Sequence, residues 1–114
     1  MRTCFSLDLD NHFKEPKDAT IFYKENQVFK CILPNGYPTP KFIEWQKNGV
    51  PLNPNFLDDN VRLGKLNGVS ILQISSAEYK DNGRYSCVAR NPEGERISRQ
   101  AMLRVIPKGM AMIL

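Results

Sequence analysis

Three cysteines, one histidine and one tryptophan, Cys4, Cys31, Cys87, His12 and Trp45, are the side chains of this 114-residue chain with the most distinctive chemistry. A thiol can serve as nucleophile, metal ligand or half of a disulfide, and its neighbours decide which. No two cysteines stand close in sequence and no histidine spacing accompanies them, so a zinc site is not expected. His12 lies beside no serine or cysteine in a recognisable nucleophile motif. Asp8 and Asp10, like Asp58 and Asp59, lack the alternating oxygen ligands and the glycine of a calcium loop. Glycine nowhere forms a phosphate-cradling pattern ahead of a helix. The residues therefore point away from an enzyme, and no metal or cofactor is expected.

Cys31, Trp45 and Cys87, with Tyr85 in Asp81-Asn82-Gly83-Arg84-Tyr85-Ser86-Cys87, are improbable together by chance. Two cysteines about 56 residues apart, with a tryptophan about 14 residues after the first, suit a sandwich in which an indole packs on a bridge between sheets. With Cys87-Val88-Ala89-Arg90-Asn91-Pro92-Glu93-Gly94, and Leu72-Gln73-Ile74 ahead of Asp81, the chain resembles an immunoglobulin domain of the intermediate, or I-set, branch. That branch is common in cell-adhesion molecules, receptor ectodomains and muscle filament proteins. The resemblance runs from about Phe13 to Ile106.

It implies an all-β, immunoglobulin-like sandwich of two antiparallel sheets with Greek-key topology. It also implies a Cys31–Cys87 disulfide, a core containing Trp45, Leu72 and Tyr85, and a corner closed by the Tyr85 hydroxyl. Arg62 and Asp81 match positions that in many such domains form an ion pair at the base of the sandwich; the alternative is two unrelated surface charges. Residues 1–12 and 107–114 are then tails or linkers around one domain.

The 41% hydrophobic and 25% charged content is that of an ordinary folded domain, and one domain is all that this length accommodates. The net charge of +4 is mild and no block of like charges supports nucleic acid binding. Cys4 is left over, as a tail residue or as a thiol that pairs with another chain. The first ten residues lack the apolar run of a secretory signal, and Met110-Ala111-Met112-Ile113-Leu114 is too short to span a bilayer. The expectation is a fragment of a longer membrane-anchored or secreted chain, extracellular or at the cell surface; a cytoplasmic filament is the alternative. No Asn-x-Ser/Thr sequon is present, so both sheet faces stay free of N-glycans.

Gly, Pro and Asn punctuation at roughly ten-residue intervals sets the strands. They are expected near Phe13–Pro16 and Ala19–Tyr23, then at Gln27–Leu33, Lys41–Lys47, Val50–Leu52, Asn60–Lys65, Val69–Ile74 and Arg84–Arg90, with a long last strand at Glu95–Ile106. Asn48-Gly49 is a two-residue hairpin signal.

Alternation turns Phe29, Cys31, Ile43, Trp45, Leu72, Ile74, Tyr85, Cys87, Ala89, Ala101, Leu103 and Val105 inward. On the opposite side of the same strands, Phe42, Glu44, Gln46, Arg84, Ser86, Val88, Arg90, Gln100, Met102 and Arg104 form a candidate binding face, provided that no bulge shifts the last strand. Aromatic, Met and Arg residues are enriched at interfaces. Val28, Ile32 and Ile71 mark an alternative face on the other sheet. The function expected is a non-catalytic protein-binding and spacer module of an adhesion molecule or receptor, contacting protein partners, homophilic or heterophilic, and neighbouring domains of its own chain. Alternatives are a titin-like structural domain of an intracellular filament, and a heparan sulphate-binding module using Arg84, Arg90, Arg96 and Arg104.

Overall fold

Short apolar-polar alternation ended by turn residues yields nine strands among the described residues: β1 Ala19–Phe22, β2 Gln27–Ile32, β3 Lys41–Lys47, β4 Val50–Pro51, β5 Val61–Leu66, β6 Val69–Ile74, β7 Gly83–Asn91, β8 Gly94–Ile97 and β9 Ala101–Ile106. The computed structural model describes residues 15–32, 41–66 and 68–109, excluding the side chains of residues 41–43 and 66. The expectations for Cys4, His12 and the side chains of Phe42 and Ile43 lie outside these limits.

One sheet runs β1-β9-β7-β3-β4 with β8 on β7, and the other runs β2-β6-β5. Consecutive hairpins alternate with crossings between sheets, which is the immunoglobulin-like Greek key. One part of the expectation fails: β1 pairs with β9 in parallel, so the larger sheet is not wholly antiparallel. β1 and β9 run in the same direction along this edge, Ala19 opposite Leu103 and Phe22 opposite Ile106.

Asn48 (φ 54°) and Gly49 (φ 80°) both adopt the positive φ that joins β3 to β4 in two residues. Between the sheets lie Phe29, Cys31, Trp45, Leu72, Ile74, Tyr85, Cys87, Ala101, Leu103 and Val105, all buried. Cys31 and Cys87 are bonded across this layer, their Cα atoms 6.7 Å apart. The Trp45 indole N–H donates to the buried Ser70 hydroxyl at 2.8 Å, so the one polar atom of the indole is satisfied. The Tyr85 hydroxyl donates to the Asp81 carbonyl at 2.6 Å, closing the crossing from β6 to β7; burial, followed by the nearby Asp81 and Asp58 charges, pushes its pKa up. Tyr85→Phe leaves that carbonyl without its donor. It should lower the unfolding free energy by about 1–3 kcal/mol in urea titration.

Asp81, 1% exposed, does not pair with Arg62. Its carboxylate accepts from the Glu78 backbone N–H and Asn60 Nδ2, both at 2.9 Å, and from Lys80 Nζ at 3.4 Å. Val61 and Leu63 pack against the core, so alternation turns Arg62 to the outer face of β5, opposite Gln73 and exposed.

A clasp ties residues 15–18 to the junction of β8 and β9. Asp18 accepts from the Met102 backbone N–H at 2.8 Å and Arg99 Nη2 at 3.1 Å, while Glu15 accepts from the Arg99 backbone N–H at 2.7 Å. The Met102 N–H, and then Arg99, hold the Asp18 carboxyl below the usual aspartate range. A depressed folded pKa gives stability that is present above the unfolded value and lost as pH falls through the folded one. The thermal midpoint should therefore drop on acidification below about pH 4, and less so in Asp18→Asn.

Candidate protein-binding surface

The outer face of the larger sheet is built by β7 in the centre, β3 on one flank and β8 and β9 on the other. Its geometry departs from simple alternation at two places. Between β7 and β9 the register aligns Arg84 with Met102 and Tyr85 with Ala101, whereas between β7 and β8 it aligns Val88 with Ile97 and Arg90 with Glu95. One extra residue therefore sits in the Ser98–Gln100 stretch, a bulge that reverses parity along the last strand. Ser98 fills the gap: its N–H donates to the Cys87 carbonyl at 2.9 Å and its hydroxyl accepts from the Cys87 N–H at 2.9 Å.

The bulge brings Ile97, 51% exposed, to the outer face, a position that uninterrupted alternation would not assign it. It also turns Arg96 the other way, opposite Ala89, where its guanidinium reaches Glu15 at 3.7 Å. A second register shift, between Phe42 and Glu44, sets the Phe42 backbone opposite Ala89. The expectation for the Phe42 side chain lies outside the described side chains.

Val88 and Ser86 correct the expectation of two solvent-facing residues: Val88 is 3% and Ser86 1% exposed. They sit on the central strand, in register with the longer Glu44 and Gln46 of β3, and Val88 is flanked on its other side by Ile97. Alternation fixes the face; the longer neighbours remove the exposure.

Arg84 and Arg104 are exposed, and Met102, half-buried, lies opposite Arg84 on β9 and two residues before Arg104. Neither guanidinium has a carboxylate partner among the described residues. Arg90 differs: its Nη2 and Nε meet Glu95 Oε2 at 2.6 and 3.1 Å, so its charge is already answered across the strand pair. Gln46 Nε2 donates to Glu44 Oε2 at 2.7 Å, fixing both side chains on the β3 flank. The described face thus carries two uncommitted cations around a methionine, a neutralised Arg–Glu pair and an exposed isoleucine. Of the four arginines considered for heparan sulphate, Arg90 and Arg96 are committed to carboxylates.

On the opposite sheet Val28 and Ile32 are 42% and 39% exposed, and Ile71 is half-buried between Lys30 and Gly64 in register. Sequence reasoning missed Phe56, 83% exposed on a short 3-10 turn after β4. It also missed Tyr79, which stacks on Tyr23 with ring centroids 4.9 Å apart. Both lie in loops without strand periodicity, where alternation gives no face. Among the described residues no group of three His, Cys, Asp or Glu side chains is placed to hold a metal ion.

Comparison with known proteins agrees with this architecture. The chain is 34% identical over 99 residues to Roundabout homolog 1 of Homo sapiens, an alignment covering 87% of this chain and 6% of that protein. It is 33% identical over 102 residues to Hemicentin-1 of Mus musculus, covering 89% of this chain and 2% of that one. The chain thus spans only a small part of each relative. Among solved structures it superposes on the titin domains Z1Z2 in complex with telethonin with a TM-score of 0.72 at 25% identity, over 84% of this chain and 47% of that one. A family model described as immunoglobulin domain matches residues 12–91, and the chain belongs to the immunoglobulin domain family.

Proposed function

We propose that this domain is a non-catalytic binding and spacer module of a multi-domain cell-surface adhesion molecule or receptor, and that it meets a protein partner through the outer face of the β1-β9-β7-β3-β4 sheet. The observation that carries the reading is the pair Arg84 and Arg104, both exposed and without an acid partner among the described residues, each adjacent to Met102 on the outer face. Arg and Met are over-represented at protein interfaces, and a guanidinium without a local carboxylate is free to pair with one supplied by a partner. The similarity to Roundabout and hemicentin proteins supports this setting.

The test is binding of the purified domain, as a fluorescent tetramer, to intact cells. Arg84→Ala and Arg104→Ala should each weaken binding by more than about 1 kcal/mol, roughly five- to tenfold, with the thermal midpoint unchanged because both side chains are exposed. Loss of binding in Ile32→Asp and Ile71→Asp, with the two arginine variants silent, would move the contact to the opposite sheet. Equal weakening by every arginine substitution, together with steep salt dependence, would indicate an acidic polysaccharide such as heparan sulphate.

The fold shared with titin domains supports a second reading, a structural unit of an intracellular filament. The two settings differ in redox state. Alkylation of the chain taken from its own cells and unfolded without reductant should find Cys31 and Cys87 blocked as a disulfide in the cell-surface setting and reactive as free thiols in a filament.

A further inference from the structure

We propose that the free edge of β5 is a second binding site, which accepts an extended segment of a partner protein in which an apolar residue is set between two carboxylates. β5 is hydrogen-bonded to β6 on one side, and on the other no described strand meets it. Main-chain donors and acceptors left at such an edge are a template for an added strand. Nothing lies within 4 Å of the place where a Cβ would stand on Gly64, so the outer face beside the middle of the strand is open.

The seam between the two sheets opens beside this edge into a cleft of about 360 Å³, a volume within the range of ligand sites. Its walls are Trp45, Leu52, Pro54 and Leu63, with Glu44 and Lys65 at the rim. The strand's own charges complete the pattern. Arg62 and Lys65 are exposed and neither has a carboxylate partner among the described residues.

Register fixes where each side chain of an added strand would fall. Leu63 and Lys65 share the column of Leu72 and Ser70, which faces the other sheet, whereas Arg62 and Gly64 share the outer column with Gln73 and Ile71. A strand laid antiparallel to β5 therefore sets a residue opposite Leu63 into the cleft, one opposite Lys65 at its rim and one opposite Arg62 on the outer face. The complementary sequence reads acidic, any residue, apolar, acidic.

The site is tested by titrating the ¹⁵N-labelled protein with the peptide acetyl-Thr-Asp-Val-Leu-Asp-Thr-amide and with its charge-reversed counterpart, in which lysine replaces both aspartates. The expected result is saturable movement of the β5 amides and of the Trp45 indole signal, slower hydrogen exchange along β5, and at least about tenfold weaker binding of the charge-reversed peptide. Arg62→Ala with Lys65→Ala should weaken the acidic peptide to a similar extent while leaving the remaining spectrum in place, since both side chains are exposed. The proposal is overturned by no saturable binding up to ~1 mM peptide, by equal binding of both peptides, or by perturbations confined to the outer face carrying Arg84 and Arg104.

Discussion

Replacing Cys31 and Cys87 together by alanine is expected to lower the unfolding free energy by roughly 2–5 kcal/mol, enough to leave much of a small domain unfolded at 37 °C. The bridge closes a 56-residue span, and in the chain-entropy picture a loop of that size restricts the unfolded ensemble by on the order of 4 kcal/mol. Both sulfurs are fully buried beside Trp45 and Leu72, so their removal also opens space in a packed layer. Urea titration of the double variant should show a lower midpoint and a steeper slope, because the released chain exposes more surface on unfolding. A loss below about 1 kcal/mol would mean that the sheets hold each other through side-chain packing alone.

Leu72→Ala should cost about 2–5 kcal/mol. Leu72 is fully buried on the central strand of the smaller sheet, with Phe29 opposite it on β2 and Leu63 opposite it on β5. Three apolar residues thus share one row against the core, and the middle one cannot be truncated without a void on both sides. Thermal unfolding should show the drop. The neighbouring Ile71→Ala, half-buried on the other face, should cost clearly less, which separates core packing from a general effect on β6.

Much of the fold was legible because turn chemistry brackets the strands. β3 and β6 occupy the expected Lys41–Lys47 and Val69–Ile74, since Asn48-Gly49 ends the former and Gly68, at φ 80°, precedes the latter. The break at Ser98–Gln100 was not legible. A serine in an alternating run reads as one more outward residue, whereas here its hydroxyl accepts the Cys87 N–H in place of a ladder carbonyl. That substitution reverses the parity of Arg96 and Ile97, and with it removes Arg96 from the expected basic stripe of Arg84, Arg90, Arg96 and Arg104.

The exposure of Val88 failed for a different reason: alternation reports direction, and a short side chain between longer ones on a central strand is covered on either face. The signal against an Arg62–Asp81 pair was present in the sequence. Val61 and Leu63 are the apolar members of that alternation, and a residue between them points away from the corner. The Asp18 clasp had no such signal, because it joins residues more than eighty positions apart.

Contact of Arg84 and Arg104 with a partner on the cell surface, as proposed above, is tested by arginine-selective labelling whatever the identity of that partner. The full-length chain on intact cells and the isolated domain would be treated with phenylglyoxal, and each arginine quantified by peptide mass spectrometry. Arg84 and Arg104 should be several-fold protected on cells, while Arg99, on the clasp away from this face, reacts equally in both samples. Arg84 and Arg104 reacting as readily on cells as in the isolated domain would contradict it.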